Sequence, residues 1–292
     1  FTIINQFYFY FYFYFIYFFK KIILFYYNIL MEVIVVATHN ERYFDSFKDS
    51  MYKYNIKPTI LGWNQKYTGH LMKDNLLEEY LSKNTKKRII LFCDAFDCIL
   101  VRNPTELINK FIESKHKMVI SNELTSHNGI YNAFQKTFFG TVNNQLINTG
   151  MIMGYSDTFL ECLQLIKKYR IEGINSNQKI WTHALSKNEY LKNIVHIDNK
   201  NEYFHNHNIL TTKLTFKNDM VYIPLKKSYP FMIQGNGIID LNYINIKLNI
   251  KTSTIKEEHK IKYYSNFIYY YILPYKYYII SFILLIVIIS LL

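Results

Sequence analysis

Two carboxylates stand out by type and position. In "KRIILFCDAFDCILVRNP", Lys87 to Pro104, five apolar residues run into Asp94, and Asp97 follows after Ala95 and Phe96. An ionised group against a buried strand is costly unless it is partnered. Open α/β sheets bind ligands outside the carboxyl ends of their strands, and Asp94 stands at such an end. Two carboxylates at this spacing can converge on one cation if the chain turns sharply between them, and oxygen ligands suit Mg²⁺ or Mn²⁺. An ion held there would neutralise a diphosphate. The plainer reading is that Asp94 caps the following turn and Asp97 is solvated; the spacing does not choose between them. A phosphatase-like aspartate nucleophile wants a second acid two residues on and a Thr soon after, which "DAFDCIL" does not match. His205 and His207 in "YFHNHN" could pair on a metal at strand spacing or sit in a solvated loop.

The elements that must position the aspartates alternate. "EVIVVAT" reads as a first strand, "NERYFDSFKDSMYKYN" as a helix and "KPTILGW" as a second strand ending at Gly62. "GHLMKDNLLEEYLSKN" is an amphipathic helix. "RIILFC" is apolar on both faces, as a central parallel strand should be. "PTELINKFIES" opens with Pro at a first-turn position, and "HKMVISNE" is the next strand. This alternation predicts an α/β fold with a mostly parallel central sheet flanked by helices. After about Ile130 the pattern loosens. Trp181 and Trp63 read as packing residues, although Trp63, after the Gly62 turn, could line the cleft. Cys93 and Cys98 read as small core residues.

Four stretches divide the chain: 1–30, 31–250, 251–266 and 267–292. Of the 292 residues 18% are aromatic, and much of that share lies in the first and last stretches. Residues 1–30, with a Phe/Tyr alternation, read as upstream sequence before Met31 or as a hydrophobic anchor. The last stretch, with Tyr277 to Leu292 free of charge, reads as a transmembrane tail. Lys247, Lys251, Lys256, Lys260 and Lys262 precede it, and the positive-inside tendency places them on the cytoplasmic side. A net charge of +12 fits phosphate-bearing ligands or anionic lipid, but no dense basic run supports nucleic-acid binding. Three cysteines without a C-x-x-C pair indicate neither a zinc site nor a disulfide scaffold.

Five segments then occur in a telling order: "VIVVAT"; "LFCDAFDCIL"; "INTGMIMGYSDTF", Ile147 to Phe159; "NSNQKIWT", Asn175 to Thr182; and "MIQGNGIIDLNYI", Met232 to Ile244. Together they resemble the glycosyltransferase domain of the procollagen lysyl hydroxylases and its free-standing viral and microbial relatives. The resemblance implies a GT-A-like nucleotide-diphospho-sugar transferase fold, a UDP-glucose or UDP-galactose donor, Mn²⁺ (or Mg²⁺), and a hydroxylysine-type protein or glycan acceptor. By the same resemblance Asp94, Asp97 and Gln234 would hold the metal. Thr38 would touch the uridine side and Phe96 would stack on uracil. Asn148, Thr149 and Gly150 would shape the sugar pocket, Gly150 by permitting close approach or as a simple turn glycine. Gly235, Asn236 and Gly237 would complete the nucleotide-sugar site. Asn177 and Gln178 would stand at the catalytic position, with His70 or Lys73 as the phosphate-side base. Two positions depart: the family has His where Gln234 stands and Asp where Asn177 stands. The resemblance therefore carries an alternative, a degenerate domain that binds nucleotide sugar or a partner without turnover. A glycogenin-like transferase with another acceptor is a third reading. The lysyl hydroxylase resemblance points to the endoplasmic reticulum lumen, opposite to the charge rule.

Overall fold

The structure is a computed structural model, and it describes residues 31–123, 129–207, 214–237, 239–255, and 260, 261 and 265. The first half follows the expected alternation: β1 (Met31–Val36), α1 (Phe44–Tyr52), β2 (Thr59–Leu61), α2 (Leu71–Lys83), β3 (Ile89–Asp94), β4 (Cys98–Leu100), α3 (Pro104–Ser114) and β5 (Met118–Asn122). Helix α3 has the first-turn proline read from its sequence and, beyond that, a side-chain cap. Asn103 accepts from the Thr105 N–H at 2.9 Å, and Pro104 opens the first turn. Helix α1 starts later than its apolar spacing suggested, because Arg42 takes a left-handed φ of 50° that no α-helix accommodates.

The second half, where the pattern loosened, contains α4 (Gly129–Phe139), β6 (Ile147–Tyr155), α5 (Ser156–Ile166), α6 (Asn177–Lys187), α7 (Glu189–Ile194), β7 (Val195–Asp198), β8 (Phe204–His207), β9 (Thr215–Lys217), β10 (Met220–Tyr222), β11 (Met232–Gly235) and α8 (Asn242–Lys247). The main sheet has the order β2-β1-β3-β6-β5-β7. It is parallel except at β6, which runs antiparallel to both β3 and β5. A smaller sheet, β4-β11-β8, stands beside it.

Alternation along the central strands fills two cores. Val33 and Val35 of β1 and Leu91 and Cys93 of β3 face a cluster with Phe47, Leu107 and Phe111 of α1 and α3. Ile34 and Val36, with Ile90 and Phe92, face the other way, onto Leu77, Phe159, Trp181 and Leu185 of α2, α5 and α6. The result is helices on both faces of a sheet. Trp181, Cys93 and Cys98 are buried core residues, as expected.

The two sheets are linked at the β7–β8 corner by Asp198. Its carboxylate accepts from the backbone N–H groups of Glu202, Tyr203 and Phe204 at 2.9, 2.8 and 2.8 Å. Among the described residues no helix is long and apolar enough to cross a membrane; the stretches 1–30 and 267–292 lie outside the described residues. Replacing Asp198 by Ala orphans three N–H groups in a buried corner. The variant is expected to lose about 2 kcal/mol or more of stability, read from the urea midpoint. An unchanged midpoint would remove this corner as a structural tie.

Candidate functional site

Strand β3 ends at Asp94, the chain turns over Ala95 to Asp97, and β4 leaves in the second sheet. This is the sharp turn that convergence of the two carboxylates demands. Strand β4 pairs antiparallel with β11, setting Gln234 opposite Cys98. That register aims the Gln234 amide at both acids: Nε2 donates to Asp94 Oδ2 at 3.2 Å and to Asp97 Oδ1 at 3.3 Å. The Gly235 N–H, donating to the Asp97 carbonyl at 2.7 Å, holds the register. The expected trio of Asp94, Asp97 and Gln234 is thus assembled, and neither Asp94 as a turn cap nor Asp97 as a solvated group describes it.

Gly150 belongs to the same cluster. It lies within β6 rather than in a turn, and a Cβ built on it would stand 2.1 Å from Gln234 Oε1. The absent side chain makes room for the amide. Oε1 itself is buried without a hydrogen-bond partner.

Two cations answer the carboxylates. Lys73, on the first turn of α2, forms an ion pair with Asp94. Arg42 Nη2 lies 3.9 Å from Asp97 Oδ2 and also donates to the Gly237 carbonyl. Burial, reinforced by the Asp94 charge, pushes Asp97 up to about 6, against the pull of Arg42, Lys73 and the Gln234 amide. Burial disfavours the Lys73 charge, but Asp94 outweighs it and holds the ammonium above its ordinary value. Of the two basic candidates, Lys73 is therefore the one at the acids. His70 instead meets the Tyr67 hydroxyl at 3.3 Å, and burial pulls it down to about 4. Arg42 went unread in the sequence, since nothing local marks it.

A second cluster adjoins the first. Glu123, just past β5, accepts from Asn148 Nδ2 at 2.6 Å and from Asn236 Nδ2 at 2.7 Å. Asn148 Oδ1 accepts the Gly150 N–H at 2.6 Å, which joins the two clusters. Asn148 and Asn236 were read from the sequence; Glu123 was not. Its signal was the rule that picked out Asp94, an acid at the carboxyl end of a buried strand. Thr149 is buried between Asn148 and Gly150.

The other expected residues divide. Gln178 donates to the Ile147 carbonyl at 2.8 Å, beside Asn148, so it stands at the site's edge. Asn177 is buried, and it and Trp181 face Asp74 of α2, although Asn177 Nδ2 and Trp181 Nε1 close no well-formed hydrogen bond. Phe96 stands between the acids, 5.7 Å from His39 and 6.0 Å from Phe44, centroid to centroid. Trp63, 44% exposed, stacks on Phe44 at 5.6 Å, so it is a rim residue rather than a core one. Thr38 is buried at the end of β1, bonded to His39 at 2.9 Å. His205 and His207 lie on strand β8, not in a solvated loop, and His205 is fully buried. Among the described residues no group of three or more His, Cys, Asp or Glu could hold a metal by itself.

The donor set suits a hard divalent ion. Turning the Gln234 amide over exchanges Nε2 for the orphan Oε1, which gives three oxygens around one point.

Gly150→Ala is expected to fold, at about 1–3 kcal/mol, because the atoms it meets end a side chain that can move. It should weaken Mn²⁺ binding about 10- to 100-fold, read by calorimetry; unchanged binding would exclude Gln234 as a ligand. Asp74 is pushed up to about 6, by burial above all, opposed by Asn177, Trp181, Lys73 and Arg170. A carboxyl group raised in the folded state stabilises when protonated and penalises folding as pH rises through about 4 to 6. Asp74→Asn is therefore expected to gain about 1–3 kcal/mol at pH 7.5 and little at pH 4 in urea melts. The reverse order would show that Asp74 is held ionised.

Residues 28–260 match the PLOD GT domain family. Procollagen-lysine,2-oxoglutarate 5-dioxygenase 1 of Gallus gallus is 25% identical over 232 residues, which is 73% of this chain and 31% of that protein. Multifunctional procollagen lysine hydroxylase and glycosyltransferase LH3 of Homo sapiens is 25% identical over 229 residues, 73% of this chain and 30% of its own. The human 5-dioxygenase 1 is 27% identical over 231 residues, 73% of this chain and 31% of its own. The chain thus spans about a third of the length of these relatives. The match covers both sheets and all of the residues brought together above. This chain belongs to the family of PLOD glycosyltransferase domains, with their GT-A-like α/β fold.

Proposed function

We propose that this domain transfers a hexose, glucose or galactose, from a UDP-sugar to a hydroxylysine-type or glycan acceptor with a divalent ion, Mn²⁺ or Mg²⁺, bound. The observation that carries the reading is the convergence of Asp94, Asp97 and the Gln234 amide at the carboxyl end of β3. When bound, the ion would supply positive charge beside the donor's phosphates and ease the departure of UDP. Asp94, Asp97 and Gln234 would hold it, and Lys73 would offer an ammonium to a phosphate oxygen. Phe96, His39 and Trp63 present flat ring faces on which a uracil can stack. The linked Asn148, Glu123 and Asn236 offer amide and carboxylate partners for sugar hydroxyls. Gln178 stands next to them. Attachment to a membrane through residues 267–292 belongs to the same proposal.

One observation favours the second reading, a domain that binds the donor without turnover. Asn177 is buried against Asp74 and lacks a titratable group of its own. UDP release by the full chain from UDP-glucose and UDP-galactose with Mn²⁺ decides between them. Turnover that falls about 100-fold or more in Asp94→Asn and Asp97→Asn is the expected result, a loss of about 2.7 kcal/mol of transition-state stabilisation. Tight UDP binding without turnover on any acceptor would establish the binder instead.

A further inference from the structure

Strand β8 carries a pair of side chains that the nucleotide-sugar reading does not use. Side chains alternate across a strand, so His205 and His207 share one face and Asn206 takes the other. Asn206 shows which face is which. Its Nδ2 donates to Ser121 Oγ at 3.1 Å and to the Asn122 carbonyl at 2.7 Å, towards the main sheet. The histidines therefore lie on the far face of the smaller sheet. In the register with β11, Asn206 stands opposite Gln234, whereas His205 stands opposite Ile233, in an apolar cluster with Ile99, Val221 and Ile223. The pair is turned away from the acids.

His205 is fully buried, and neither of its ring nitrogens has a hydrogen-bond partner. A neutral imidazole carries an N–H on one nitrogen and a lone pair on the other. Burying both unmatched is costly, and an aliphatic side chain would fill the same apolar space without that cost. The neighbouring imidazole suggests what a histidine offers there. The ring centroids of His205 and His207 stand 5.7 Å apart, with their planes inclined at 37°. A metal–nitrogen bond of about 2.0–2.1 Å puts an ion about 3 Å from each centroid, so two rings on one ion stand about 5 to 6 Å apart. No hydrogen bond fixes the His205 ring against turning a lone pair to that point. Burial above all lowers both imidazoles, His205 to about 3 with help from His207 and Lys226. Both are then neutral at pH 7, the form that ligates.

We propose that His205 and His207 form a second metal site, for a borderline first-row ion such as Zn²⁺ or Cu²⁺ rather than the hard ion that suits the carboxylates. Among the described residues no third His, Cys, Asp or Glu joins them, which leaves the remaining positions to water. His207, only partly buried, stands on the side from which an ion enters. The site goes beyond the nucleotide-sugar reading and does not depend on it. A second histidine pair does not compete: His116 and His196 stack with centroids 3.9 Å apart and planes 9° apart, so their nitrogens lie in parallel planes and do not converge.

Calorimetric titration of the full chain with Zn²⁺, with Mg²⁺ in excess, tests this. One Zn²⁺ per chain is expected, and its binding should persist in Asp94→Asn and in His196→Gln. It should weaken about tenfold or more in His205→Gln and in His207→Gln, the second at a partly exposed position where the fold tolerates the change. Cu²⁺ bound in place of Zn²⁺ should give an electron paramagnetic resonance spectrum split by two imidazole nitrogens. Zn²⁺ affinity unchanged in His207→Gln overturns the proposal. So does loss of the ion in Asp94→Asn or His196→Gln, a chain that takes up no Zn²⁺, or a Cu²⁺ spectrum without the two-nitrogen splitting.

Discussion

A buried carboxylate, Asp97, and a partly buried one, Asp94, share one amide and repel each other, and Asp97 also loses the water that would stabilise its charge. Every other feature of this site answers that constraint. The Gln234 amide donates to both acids, Lys73 and Arg42 bring positive charge, and Gly150 gives up its side chain so that the amide fits. Remove one and the acids lose their register or their charge balance. Burial and the Asp94 charge still leave Asp97 raised to about 6, against the pull of Arg42, Lys73 and the Gln234 amide.

The architecture spreads the answer over the whole domain. Asp94 belongs to the main sheet and Asp97 to the turn that opens the smaller one, so the acids sit on the seam between the two sheets. Gln234 comes from the smaller sheet and Gly150 from the larger. Glu123, Asn148 and Asn236 cross the same seam with a second layer of hydrogen bonds. The seam is also where the ring faces of Phe96 and His39 meet. Ligand chemistry and sheet-to-sheet contact are thus carried by the same residues.

Much of this was legible. Elements from Met31 to Asn122 alternate cleanly because each strand is an apolar run and each helix an amphipathic one, and the fold class follows from that half alone. The reversed direction of β6 was not legible, since a strand buried on both faces reads the same in either sense. Asp94 and Asp97 were ambiguous on spacing because their deciding partner, Gln234, lies 140 residues from Asp94 in the chain. The family resemblance put Gln234 in place, and the β4–β11 register supplied the geometry. Arg42 escaped because its role depends on a left-handed backbone that sequence alone does not flag. Glu123 escaped although the strand-end rule covered it. His205 stayed open between a strand and a solvated loop because its strand is short and polar; paired with β11, that strand leaves His205 buried.

The position of β11 has a consequence for how the domain acquires its function. Strands β1, β2 and β3 can pair from segments close in sequence, whereas β11 must insert between its near neighbour β8 and β4, which lies far earlier in the chain. Long-range pairings of that kind carry the larger loop-closure entropy and form late. The two acids are therefore in place before the residue that brings them together. Until β11 docks, the acids have Lys73 and Arg42 beside them but lack the amide that bridges them. The ligand site closes only as the last strand docks, so ligand capture reports completion of folding itself.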